Sequence, residues 1–267
     1  EYGKYLYKKT FVEGLVYGDF KKRDARRALR LFKEKTKTRG IRREHAFDIK
    51  YLDQLQTEKI QYVGKLAVNN SCFYREYVLG EDSPEIRATS MVISQALQQP
   101  FFTEMRTNQQ LGYIVWSYAR NRDETHYLSF VIQSGAFTAD DVNQRAADFI
   151  ASTPEFLASM DGETFNQLKK SAIEQLEKKP MSIRERANKL KTFIFEHNAD
   201  FQRDDKTIAA LKKLDQTSAV DLLANTVSKD TRRMVNCLMF AEHHDNPTGV
   251  KSSFDDVNTW KASRSYK

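Results

Sequence analysis

Apolar residues between Thr138 and Ser228 recur at helical spacing, while the alternating, strand-like runs lie outside that stretch. This segregation constrains the fold more than any other feature of the chain. Alternation or β-rich composition marks Phe11–Gly18, Ile60–Val68, Ser71–Leu79, Tyr113–Tyr118, His126–Ser134 and Met234–Ala241. The second and third runs meet at Asn69-Asn70 and read as a hairpin with one buried face. Tyr113–Tyr118 reads as a strand apolar on both faces, joined antiparallel to His126–Ser134 across Asn121-Arg122-Asp123-Glu124.

Helices interleave with these strands. Residues 21–36 place Ala25, Ala28, Leu29 and Phe32 on one face. Ser83-Pro84-Glu85 has the makings of a helix start, and the helix should reach about Gln99, where Pro100 interrupts it. A short helical segment then carries Phe101 to Gln110 until Gly112 breaks it. Four further starts are expected at Thr138, Asp161, Ser182 and Ser218, with Pro180 separating two of the helices and no clear period in the tail after residue 241. Phe165, Leu168, Ala172 and Leu176 form a core-facing stripe. The order of strands and helices predicts an α+β fold, an antiparallel (mixed) sheet with helices on one side.

The 267 residues suffice for a buried core without disulfides, so Cys72 and Cys237 are expected to be free thiols. No apolar run approaches the roughly 20 residues that span a bilayer, and no membrane partner is expected. Charge is unevenly spread. Residues 1–43 carry fifteen Lys or Arg against five Asp or Glu, whereas the remainder carries 28 against 31. A basic block can bind nucleic acid, but only Phe32 lies in its most basic part, so a solvated helix face and loop is the better reading and no nucleic acid is expected. The polar connection Lys37–Arg43 marks a boundary between residues 1–43, a strand plus basic helix and linker, and a domain over 44–267. The chain opens on Glu1, without a targeting segment, and reads as starting inside a larger protein.

Catalytic chemistry is sparse. A zinc-binding H-x-x-E-H helix needs a His three positions before a Glu-His pair, and the three such pairs are preceded there by Ile41, Phe193 and Met239. His243-His244 invites a metal reading, but adjacent residues of a strand would point to opposite faces. His126 and His197 read as isolated, Ser117, Ser134 and Cys72 have no nucleophile context, and none of the ten glycines builds a phosphate loop.

What remains is residues 101–115, FFTEMRTNQQLGYIV. Arg106 falls near a helix end and Tyr113 at a strand start, so a turn at Gly112 could bring a fixed-fork cation and a phenol to one rim, where they could hold peptide carbonyls or steady an oxyanion. The same spacing also suits a helix-end cation and a core aromatic.

Arg106-Thr107 followed by Gln110-Leu111-Gly112-Tyr113 resembles the RT..QLGY segment in the C-terminal half of insulinase/pitrilysin-type zinc metallopeptidases. Weaker marks are Val131-Ile132-Gln133-Ser134 and Ile173-Glu174-Gln175-Leu176, and the likeness runs from about residue 11 to 240. The resemblance implies α/β-roll domains around a closed chamber, with this chain covering the end of the third domain and the fourth. It also implies a zinc ion bound by an N-terminal catalytic half, on the same polypeptide or a partner subunit, and a peptide substrate contacted by Arg106, Tyr113 and Phe102. Asn108-Gln109 departs from a pair often charged in the family. The chain alone would be inactive, and a non-catalytic peptide-binding or scaffold subunit of the same family is the alternative.

Overall fold

The computed structural model describes residues 2–45, 50, 52–53, 58–122, 124–228, 230 and 233–266. Asp123, in the turn expected between two strands, lies outside the described residues. In chain order the elements are α1 (Tyr2–Leu6), β1 (Lys9–Thr10), α2 (Lys22–Thr36), β2 (Arg39–Gly40), β3 (Lys59–Lys65), β4 (Ser71–Glu81) and α3 (Pro84–Phe102). A π-helical turn (Thr103–Asn108) leads to β5 (Ile114–Arg122), β6 (Thr125–Ser134), α4 (Ala139–Ser159), α5 (Gly162–Glu177) and α6 (Ile183–Phe195). Then come α7 (Arg203–Lys213), α8 (Gln216–Val227), β7 (Met234–Phe240) and α9 (Val257–Ala262). The chain divides into two compact units, one of residues 1–51 and 179–201, the other of residues 52–178 and 202–267.

The smaller unit holds α1, β1, α2, β2 and α6. The first expected strand, Phe11–Gly18, does not form: Lys9 and Thr10, just before it, pair in parallel with Arg39 and Gly40, and residues 11–17 have no regular structure. Alternation makes a strand only when a neighbour accepts its backbone hydrogen bonds, and no such ladder exists here among the described residues. The expected basic helix forms as α2, yet none of its described residues is buried and Leu29 is 53% exposed. Its apolar stripe is therefore not a core face within this unit.

The larger unit is a five-stranded mixed sheet, ordered β3-β7-β4-β6-β5, with β3 parallel to β7 and the other pairs antiparallel. This is the α+β fold expected. The predicted hairpin of β3 with β4 does not form, because β7 inserts between them. The reason lies in burial: β7 (MVNCLMF) alternates fully buried with half-buried side chains and so suits an interior position, while β3 takes the edge.

Strand register places Phe73, Tyr77, Val115, Leu128, Phe130, Ile132, Met234 and Leu238 on one sheet face, and all join a single core with α3, α4, α5, α7 and α8. Side chains of the opposite face take no part in that core. Val115 and Ser117 are buried while Trp116 is 59% exposed, so β5 buries one face, not two. As an edge strand it has a core side and an open side.

Local caps account for most helix starts. Ser83 accepts from Ile86 N, Thr138 from Asp141 N, Asp161 from Thr164 N and Ser182 from Glu185 N. The last of the four further starts is displaced, since Asp215, not Ser218, caps α8 and accepts from Ser218 N. Helices α7 and α9 were not anticipated. Pro100 does not end α3, whose helix continues through it. Proline removes a single backbone donor, and complete burial of Phe101 and Met105 beyond it holds the chain helical. Phe165 and Ala172 are buried and Leu168 and Leu176 pack against the core, as their spacing predicts. Cys72 and Cys237 are free and half-buried.

Candidate functional site

The segment after α3 is shaped by three backbone devices. Gln109 N donates to Glu104 O at 3.0 Å, the five-residue step of a π turn, and Leu111 N donates to Met105 O at 2.9 Å. Gln110 then takes a positive φ of 52°, which reverses the chain. Finally Gly112 passes against β6 so closely that a Cβ there would lie 1.9 Å from Gln133 O. Only glycine permits that approach.

Side chains lock the turn from both sides. Met105 and Leu111 are buried and anchor it to the core. On the outer side the Glu104 carboxylate accepts from Gln109 Nε2 at 2.9 Å and Asn108 Nδ2 at 2.6 Å, and these bonds hold its pKa below the ordinary carboxylate range. Asn108 and Gln109 thus clip the turn.

The three residues singled out from sequence meet here. Arg106 Nη1 donates to the Tyr113 carbonyl at 2.9 Å. Its guanidinium lies 4.5 Å from the Tyr113 ring centroid and 5.1 Å from that of Phe102, within cation–π range of both. Phe102 packs partly on the core as well. Tyr113 is 80% exposed, which removes its reading as a core aromatic. Most of the guanidinium's five N–H groups remain for another acceptor, and among the described residues no bond engages the Tyr113 hydroxyl. Such a pair of donors on a rigid turn suits a backbone carbonyl or a developing oxyanion.

From this turn β5 leads along the open sheet face. Register places Ile114, Trp116, Tyr118, Arg120 and Arg122 of β5 level with Gln133, Val131, Ser129, Tyr127 and Thr125 of β6. Tyr74 and Glu76 of β4 and Cys72 continue the same face. Glu76 is buried, with hydrogen bonds from Tyr74 Oη at 2.6 Å, Arg120 Nη2 at 2.5 Å, Arg122 Nη2 at 2.9 Å and Ser129 Oγ at 3.2 Å. Burial alone would raise its pKa, but the Tyr74 and Arg120 hydrogen bonds and the two positive charges outweigh it and hold the group low. Burial and the bond to Glu76 push the Tyr74 phenol above its usual value.

A second carboxylate cluster lies on the helix side. Asp82 accepts from Arg87 Nη2 at 2.7 Å, from Arg203 Nη1 at 2.6 Å and Nη2 at 2.7 Å, and from His126 Nε2 at 2.7 Å. A cavity of about 420 Å³ opens beside it, lined by Ser90, Ser94, Gln95 and Asn121 among others. His126 is therefore not isolated, contrary to the sequence expectation. Its Nε2 must carry the proton it gives Asp82, and Nδ1 faces Ser90 Oγ at 3.2 Å. Burial lowers the His126 pKa despite Asp82. Asp82, gripped by its cationic partners, is held far below the usual range.

The histidine pair also differs from expectation. His243 and His244 follow the end of β7, so strand geometry does not part them, and their ring centroids are 4.2 Å apart. His244 Nδ1 lies 2.8 Å from Ser71 Oγ and His243 Nδ1 lies 3.0 Å from Asn69 Oδ1. Among the described residues no group of three or more His, Cys, Asp or Glu side chains could hold a metal ion. Two His beside a neutral Ser and Asn do not make a donor set that fits zinc. Among the described residues Ser117 Oγ is buried without a hydrogen-bond partner, and Ser134 Oγ accepts from the Ala136 and Phe137 amides. No helix of the described residues is long and apolar enough to cross a membrane.

Comparison with known proteins places this geometry in context. Residues 92–191, which include the Arg106–Tyr113 turn, match the family described as PQQ synthase PqqF-like, C-terminal lobe domain 4. Protease 3 of Salmonella typhi is 28% identical over 149 residues, 56% of this chain and 16% of that protein. The insulin-degrading enzyme of Drosophila melanogaster is 25% identical over 179 residues, 66% of this chain and 18% of that protein. The crystal structure of pitrilysin matches 94% of this chain and 27% of its own at 19% identity, with a TM-score of 0.78. The chain thus spans less than a fifth of the curated relatives named.

Proposed function

We infer that this chain, which belongs to the insulinase/pitrilysin-type peptidase family as its C-terminal half, forms substrate-binding wall in a zinc metalloendopeptidase. The observation that carries this reading is the joint placement of Arg106, Tyr113 and Phe102 around one turn at the start of β5, with the Tyr113 side chain exposed. A zinc ion held by the catalytic half would supply activated water there. This chain's residues bind and orient. Phe102 and Tyr113 fix the guanidinium plane from its two aromatic contacts, and the Tyr113 carbonyl fixes its roll. The remaining guanidinium N–H groups and the Tyr113 hydroxyl donate to the substrate carbonyl next to the scissile bond and to the charge that develops on it. Preorganised donors of this kind contribute about 3 kcal/mol each to the transition state.

The chain by itself lacks a hydrolytic centre, and its partner is the catalytic half, with peptide as substrate. On the same reading, residues 1–43 end a preceding domain and residues 44–267 form the C-terminal one. The test is kcat/KM of Arg106→Ala and Tyr113→Phe in the intact peptidase. A fall of tenfold or more in each (about 1.4 kcal/mol or more), with an unchanged unfolding midpoint, is expected, and values within twofold of wild type remove both residues from the site. If the intact protein cleaves no peptide yet binds one, the alternative of a non-catalytic peptide-binding or scaffold subunit replaces the enzyme reading.

A further inference from the structure

The open sheet face is apolar or neutral along most of its strand positions, with one departure. The charged residues that register places on it are Glu76, Arg120, Arg122 and, past the bulge and level with Arg122 through Thr125, Glu81. Both cations bond one anion, Glu76. Their exposures differ sharply: the Glu76 side chain is 5% exposed, that of Arg120 38% and that of Arg122 43%.

Glu76 is saturated. Its Oε2 accepts from Tyr74, Ser129 and Arg120 and its Oε1 from Arg122. Arg120 Nη2 also donates to Tyr74 Oη at 2.7 Å, and the Arg122 guanidinium lies 4.3 Å from the Tyr127 ring centroid. Both guanidiniums are held in place by bonds made on their buried side, and each keeps donors on its exposed side. Past the bulge, exposed Glu81 comes level with Thr125 at the strand ends and has an interaction of its own.

We propose that Arg120 and Arg122 form an anion subsite that selects a peptide segment bearing an acidic side chain, seated along the open face of β5 and β6. The inference rests on the peptide-binding reading above and adds a chemical preference to it. Buried Glu76 is what makes the subsite selective. It fixes two guanidiniums side by side, each with donors left over for a second carboxylate, which gains charge-assisted bonds there.

The test is fluorescence anisotropy with the intact protein containing this chain, a chelator being present to prevent cleavage. Two rhodamine-labelled peptides of Ala, Ser and Tyr, about twelve residues long to cover the strand, differ only in carrying Glu or Gln at every third position. The wild type is expected to bind the Glu peptide about fivefold or more tightly than the Gln peptide at low salt, and less selectively as salt rises. Arg122→Gln should bring the ratio to within about twofold, because Arg122 makes one bond to Glu76 and is the more exposed partner, and Arg122→Lys should restore most of it. Equal binding of the two peptides by wild type, or a ratio untouched by Arg122→Gln, overturns this inference and leaves the peptide-binding reading standing. Absence of binding for both peptides overturns the two together.

Discussion

Asp82 and Glu76 lie six residues apart on and just beyond one strand, and each is a carboxylate held by two arginines, yet the two clusters differ in what surrounds them. Around Asp82 every member is sealed: Arg87, Arg203 and Asp82 are each 11% exposed and His126 8%. Around Glu76 the anion is sealed while both cations reach solvent. The first cluster joins the start of α3, the start of α7 and β6, so its bonds connect elements distant in sequence. The second lies within three neighbouring strands and connects little that the ladders do not already hold. Similar side chains therefore do different work: a closed set is a structural tie, and a half-open one is a surface.

The sharpest way to break this contrast is to delete each anion. Asp82→Asn leaves three sealed cationic or donor groups facing a neutral amide, and a loss of about 3–5 kcal/mol in unfolding free energy is expected, measured by urea denaturation. Glu76→Gln should cost less, about 1–3 kcal/mol, because Arg120 and Arg122 can turn to water. The same variant releases the two guanidiniums from the anion that sets them side by side, so its preference for the Glu peptide should fall below that of wild type in the anisotropy assay. Equal destabilisation by the two substitutions would mean that exposure of the partners does not matter.

Acid titration gives a smaller and more graded test. The folded-state pKa values of Asp82, Glu76 and His126 are all depressed. For each, the unfolded chain binds the proton first, so the stability it contributes is present above the unfolded pKa and is lost as pH falls. Urea midpoints should therefore drop as pH falls below about 6.5, where unfolded His takes up a proton, and more steeply below about 4, where carboxylates do. The lower limb should flatten more in Asp82→Asn than in Glu76→Gln. A wild-type midpoint that rises on acidification would reverse the assigned signs.

The two clusters also show what could be read from the chain and what could not. Local signals survived folding: Ser83, Thr138, Asp161 and Ser182 cap the helices they announce, and Gly112 marks a turn because Gln133 O leaves no room for a Cβ. Helix α7 was invisible because its first residue follows Gln202, which makes no capping bond with its side chain. The β3–β4 hairpin failed because β7, almost 170 residues later, takes the place between them, and nothing local in Asn69-Asn70 records that. The same distance hid His126, whose partners come from Asp82, Ser90 and Asn121. Of the candidate site, Arg106, Tyr113 and Phe102 were named through family likeness, and the four-residue step from Phe102 to Arg106 is helical spacing, whereas the π turn on the way to Tyr113 is not disclosed by sequence periodicity. Arg120 and Arg122 carried a faint mark, two like charges at strand spacing on one face, whose meaning depends on Glu76 beside them.

The central claim is that the start of β5 and its open face touch peptide substrate. Photo-crosslinking tests it most directly. A benzophenone amino acid is placed at Tyr113, at Trp116 on the same strand, or at exposed Phe20 as a control, in the intact protein with a labelled peptide. The account predicts peptide adducts at positions 113 and 116 and none at 20. Adducts absent from 113 and 116, with peptide still bound, would contradict it.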